Sequence, residues 1–97
     1  MVRQFDDETL KLLSLLDTAV EEMLSYGNQS TFSYFATCED VGLYIRDIII
    51  KAKAGDLHEL SKLWYLFAPT SVWDDSGGSQ EIANEIFEII NTKFKPE

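Results

Sequence analysis

From Asp7 to Tyr26 the apolar positions Leu10, Leu13, Leu15 or Leu16, Val20, Met23 and Leu24 recur at steps of three and four. That spacing predicts an amphipathic helix, with Asp7 and Glu8 in its first turn and Gly27 closing it. A polar break, Asn28-Gln29-Ser30, follows, and Ser30 or Thr31 is placed to cap a second helical region. There the stripe Phe35, Cys38, Val41, Ile45, Ile48, Ile49 and Ala52 keeps helical spacing between Phe32 and Ala54. A break or kink is expected between Cys38 and Asp40, and spacing alone leaves open whether residues 32–54 form one helix or two. The β-branched run Ile48-Ile49-Ile50 would also suit a strand. Its continuation Lys51-Ala52-Lys53-Ala54-Gly55 has the cations and glycine of a helix C-terminus, which favours helix.

Asp56-Leu57-His58-Glu59 has the form of a capping box ahead of Leu57, Leu60, Leu63, Trp64 and Phe67, and Pro69 ends the run. Trp64 falls on the core stripe, so its neighbour Tyr65 points elsewhere and is the more exposed of the two. Residues 68–79 read as a loop with an unusual tryptophan and two acids. Ser79 is placed to cap a last helix whose face is Ile82, Ala83, Ile86, Phe87, Ile90 and Phe94. Each stripe needs the others for burial, so the expected fold is all-α, a compact bundle of four to five helices forming one domain over residues 1–97.

Composition sharpens this picture. Ninety-seven residues with 45% apolar and 12% aromatic side chains suffice for one core. No run approaches the roughly 18 apolar residues of a membrane span, and the N-terminus is charged where a signal peptide turns apolar. The expectation is a soluble, unexported, cytoplasmic protein. Cys38 is the only cysteine, which excludes an internal disulfide. Seventeen acids against eight Lys and Arg give a net charge of -9. Such a surface repels phosphate backbones and anionic lipid, so nucleic-acid and membrane partners are disfavoured and a basic partner is favoured.

Few residues offer chemistry. His58 is the only histidine and sits in an opening turn beside Glu59, where a surface or capping role outweighs a catalytic one. Cys38 lies on the apolar stripe as a small hydrophobe. Asp74, Asp75, Ser76 and Glu81 superficially resemble a calcium loop, but the alternating oxygens and central glycine are out of register. Gly77-Gly78 lacks the Lys-Ser/Thr of a phosphate cradle. No enzyme, cofactor, metal or small-molecule ligand is expected.

The acids divide by what lies one turn away. Asp7 and Glu8 reach Lys11, Asp47 reaches Lys51 and Glu59 reaches Lys62, as on an ordinary solvated face. By contrast Glu81, Glu85 and Glu88, and Asp17 with Glu21 and Glu22, have no local cation. Each like-charge neighbour costs a few tenths of a kcal/mol. Such a set suits an anionic surface kept for a cationic partner, and Trp73 beside Asp74 and Asp75, with Tyr65, would supply aromatic anchors and charge pairs. Tyr34 and Tyr44 are further amphipathic positions. The simpler alternatives are that the acids serve solubility and that Trp73 folds back over the end of the bundle.

The segment Phe67-Ala68-Pro69-Thr70-Ser71-Val72-Trp73-Asp74-Asp75 is similar to a Phe-x-Pro-Thr-x-x-Trp-Asp-Asp segment of small bacterial proteins. With its size, charge and helical layout, the chain resembles the immunity proteins that neutralise bacterial nuclease toxins of the colicin and contact-dependent growth inhibition types. The Tyr-Tyr-Pro element of the colicin nuclease immunity proteins is absent, so their binding residues are not carried over. The resemblance implies a non-catalytic inhibitor that binds a cognate basic toxin domain and masks its active site or substrate surface. The alternative class is a protein-interaction or regulatory module.

Overall fold

The computed structural model describes residues 5–29, 37–68, 73 and 78–96. The first helix, α1, spans Asp7–Tyr26, with the Asp6 carboxylate accepting the Thr9 N–H at 2.8 Å as its N-cap and Gly27 at its end. The second, α2, spans Cys38–Lys53 and begins where the break was expected. Its cap is Thr37: the Thr37 side chain accepts the Asp40 N–H at 3.2 Å and the Asp40 carboxylate accepts the Thr37 N–H at 3.3 Å. This reciprocal pair satisfies two of the free donors at a helix start. Ser30 and Thr31, the expected caps, lie outside the described residues, as does Tyr34. Gly42 does not interrupt α2, because it is where α1 approaches: a Cβ there would meet Leu24 Cδ2 at 3.1 Å.

A 3-10 helix, Leu57–Lys62, runs directly into the short α3, Leu63–Phe67. This corrects two expectations. Asp56 makes no side-chain cap; its backbone, at φ -92 and ψ 72, is not the extended one an N-cap needs. Glu59 turns instead to Lys62 at 2.9 Å and Lys51 at 3.7 Å, and the lysine contacts, Lys62 foremost, hold its carboxyl below the usual range. Second, the 3-10 segment ends at Lys62, and the α-helical turn that follows directs Leu63, Leu66 and Phe67 inward. Leu66 is therefore buried and Trp64 only half-buried.

The last described helix, α4, spans Gln80–Lys93. Ser79 stands at its N-cap, but its hydroxyl makes no cap bond. The backbone is held from elsewhere: Ser79 N–H donates to Glu22 Oε2 at 2.8 Å, and the Ser79 carbonyl accepts from Trp73 Nε1 at 3.0 Å.

α1 is the central helix, with α2 packed on one flank and α4 on the other. Both run antiparallel to it: the Asp6 and Lys93 side chains meet at one end of the α1/α4 pair and Glu22 and Ser79 at the other. Being packed on two sides, α1 buries a wide arc of Thr9, Leu12, Leu13, Leu16, Ala19, Val20 and Met23. Leu10, expected inside, is half exposed. The core is completed by Val41, Ile45, Ile48, Ile49 and Ala52 of α2 and by Ala83, Ile86, Ile89 and Ile90 of α4. A radius of gyration of 12.8 Å is that of a compact globule, for which about 13 Å is usual at 100 residues. The described residues contain no strand, and the protein is a small all-α bundle. None of its described helices is long and apolar enough to cross a membrane.

Candidate protein-binding surface

Trp73 is not on the surface. It is 0% exposed, tilted against Phe67 with ring centroids 4.9 Å apart, and its indole N–H is satisfied by the Ser79 carbonyl. A fully covered indole cannot act as an interface anchor, so Trp73 leaves the set of candidate contacts. The indole sits between Phe67 of α3 and Ser79 at the start of α4. Asp74 and Asp75 lie outside the described residues.

The α4 acids are arranged as the helical period requires. Glu81, Glu85 and Glu88, at i, i+4 and i+7, are all exposed on one stripe. A shallow groove of about 250 Å³ separates Glu85 and Glu88 from Glu8 and Lys11 on α1, with Ile89 and Thr92 also lining it. None of the four glutamates forms an ion pair with a described residue, Lys11 included. The expected Glu8 to Lys11 pair is thus not made, whereas Asp47 does hold Lys51, at 3.0 Å. The result is an acidic strip along the α1/α4 flank whose glutamates pair with no described residue.

Tyr65 is 61% exposed, as its place beside Trp64 predicts. Its ring meets Trp64 edge to face, with centroids 5.2 Å apart and planes at 82°. Trp64 in turn lies 5.6 Å from Phe87 and donates its indole N–H to Asn91 Oδ1 at 2.9 Å. Asn91 is one turn beyond Glu88. Tyr65 therefore borders the other side of the α4 outer face from Glu8, and the acidic strip lies between.

Two acids grouped with the unpartnered set have partners on other helices or beyond. Asp17 reaches Lys53 of α2, at 3.9 Å. Glu22 Oε2 accepts both the Tyr26 hydroxyl at 2.7 Å and the Ser79 N–H at 2.8 Å, tying the end of α1 to the start of α4. The hydrogen bond to Glu22 raises the Tyr26 phenol, and desolvation adds to it. Because that pKa is raised in the fold, the associated stability is intact below the ordinary tyrosine range and lost as pH climbs through the Tyr26 value. In a spectrophotometric titration Glu22→Ala should bring one phenol back toward its ordinary pKa, and its unfolding free energy should fall by about 1–3 kcal/mol, the cost of uncapping a charged hydrogen-bond hub. A titration identical to wild type would show that Glu22 does not hold Tyr26.

Cys38 is buried, and burial pushes its thiol up, away from the reactive thiolate. His58 is exposed at the start of the 3-10 helix. Among the described residues no three His, Cys, Asp or Glu side chains are grouped to hold a metal ion. No family model, curated protein or solved structure matches the chain. The fold and surface thus define a small all-α bundle with an acidic helix face that pairs with no described residue.

Proposed function

We propose that this bundle is an immunity-type inhibitor, binding a cationic toxin domain, with a nuclease the favoured kind, through the α1/α4 acidic strip. The observation that carries the reading is that Glu81, Glu85 and Glu88 are aligned and exposed with Glu8 across the groove, and that none is neutralised by a described residue. Within the free fold their repulsion costs stability. Against Lys or Arg on a partner, the same repulsion is relieved and the field steers encounter. Tyr65, rigidly backed by Trp64, is the aromatic side chain best placed to anchor the contact at the border of the strip. A nuclease presents a basic surface to its substrate phosphates, and an acidic strip laid over it would exclude that substrate.

The test is capture. The chain, immobilised, is exposed to extract from cells that make it, at low and then high salt, and bound proteins are identified by mass spectrometry and assayed for nuclease activity. The expected product is a basic domain whose activity is lost in the complex, with an association rate that falls steeply with salt. Glu81→Lys, Glu85→Lys and Glu88→Lys together should slow association by about 10- to 100-fold at low salt while the bundle melts normally. Capture that is indifferent to these reversals would remove the strip from the interface, and a non-toxic partner would remove the immunity reading.

A further inference from the structure

On the other flank of α1, the junction with α2 forms a second groove of about 490 Å³ with a different character. One wall carries the acids Asp17 and Glu21 of α1, and the other carries the cations Arg46 and Lys53 of α2, with Leu24 and Ile50 between them. Ile50 is 60% exposed and is one of the few large apolar side chains the bundle leaves in water. The charges are little used inside the chain. Asp17 and Lys53 approach only to 3.9 Å, while Glu21 and Arg46 pair with no described residue.

We infer that this groove is a self-association surface, and that its occupant is a second copy of the chain related by a two-fold axis running parallel to α1 and α2. The reason is charge symmetry. A partner of a single charge sign would satisfy one wall and oppose the other. A two-fold rotation along the groove exchanges the walls, so each copy's acidic row faces the other's basic row at the same height, with Ile50 and Leu24 of both copies enclosed between. Asp17 and Lys53 already stand at one level, as their bridge shows. The net charge of -9 on each copy opposes association at long range, but that repulsion is screened beyond about 8 Å at physiological salt, whereas the facing rows are in contact. Few apolar side chains are enclosed, so the dimer is weak and concentration-dependent. The surface is independent of the acidic strip, which lies on the opposite flank of α1.

Sedimentation equilibrium of the whole chain at about 0.15 M salt, from about 10 μM to about 1 mM, reads it directly. The average mass should rise from 11.1 kDa toward twice that value, and Ile50→Glu should raise the dissociation constant by at least about 10-fold. Two charge variants decide the geometry. Asp17→Lys with Glu21→Lys makes both walls basic, and Arg46→Glu with Lys53→Glu makes both acidic. Each variant alone should stay at single-chain mass, and an equimolar mixture should recover the dimer. These positions are exposed, and helical circular dichroism confirms that each variant is folded. A wild-type mass that stays at one chain at the highest concentration, or a mixture no heavier than its components, overturns the inference.

Discussion

Replacing Trp73 by alanine is expected to cost about 3–5 kcal/mol of unfolding free energy, the range for truncating a buried large aromatic. The indole is completely enclosed and rests on Phe67. Its N–H supplies the hydrogen bond to the Ser79 carbonyl at the first turn of α4. Truncation therefore removes packing and one of the two donors to a carbonyl that also accepts the Ala83 N–H, at the point where Glu22 also grips the chain. For a domain whose whole stability is of order 5–15 kcal/mol, this loss is a large fraction. Urea unfolding monitored by helical circular dichroism measures it, and a change under about 1 kcal/mol would mean that the indole is not part of the core. Binding of a partner to the folded variant should survive, which separates this role from the surface anchor suggested by its acidic neighbours.

Gly78→Ala should be the second costly change. A Cβ at Gly78 would lie 2.1 Å from Trp73 Cε2 and 2.4 Å from its Nε1, well inside contact distance. The indole is completely buried and also rests on Phe67, so the methyl group forces a core side chain or the backbone to shift, at about 1–3 kcal/mol for an overpacked site. Because both effects involve one contact, they are not additive. In the double variant Trp73→Ala/Gly78→Ala the clash is gone, and adding Gly78→Ala to Trp73→Ala should cost under about 1 kcal/mol. Full additivity in that cycle would show that the two residues do not touch. The same contact explains why two residues that read as loop in the sequence are among the tightest points of the bundle.

Stability and recognition are thereby divided between different parts of the same helices. Glu22 and Asp17 belong to the acids that sequence spacing groups as unpartnered, and both are engaged by residues far along the chain, Ser79 and Lys53. Glu8, Glu81, Glu85 and Glu88 pair with no described residue, and it is their remaining charge that supports the proposed role. A rule that looks only three or four residues ahead cannot separate the two sets, since the partners that distinguish them arrive through the antiparallel packing of α1 with α2 and α4.

Much of the fold was nonetheless legible. Helix periodicity is local physics, and it located Asp7–Tyr26, the break at Cys38 and the last helix after Ser79. The exposure of Tyr65 followed from its adjacency to Trp64, and the burial of Cys38 from its place on the α2 stripe. The Asp56 capping box failed because a motif states which side chains are available and not which backbone the chain adopts. Residues 57–62 wound as a 3-10 helix instead, and α3 after them buries Leu63, Leu66 and Phe67 while Trp64 packs half-buried at the edge of the core.

By itself, then, the sequence determined that this is a helical, acidic chain with one core and a row of glutamates at helical spacing, because propensity, period and net charge are properties of neighbouring residues. Only the tertiary structure decided that Trp73 is a core residue locked against Gly78, that Glu22 fastens α1 to α4, and which acids find a partner among the described residues. Those outcomes depend on contacts between distant segments, where the shape of the gap and the position of a backbone N–H select the partner.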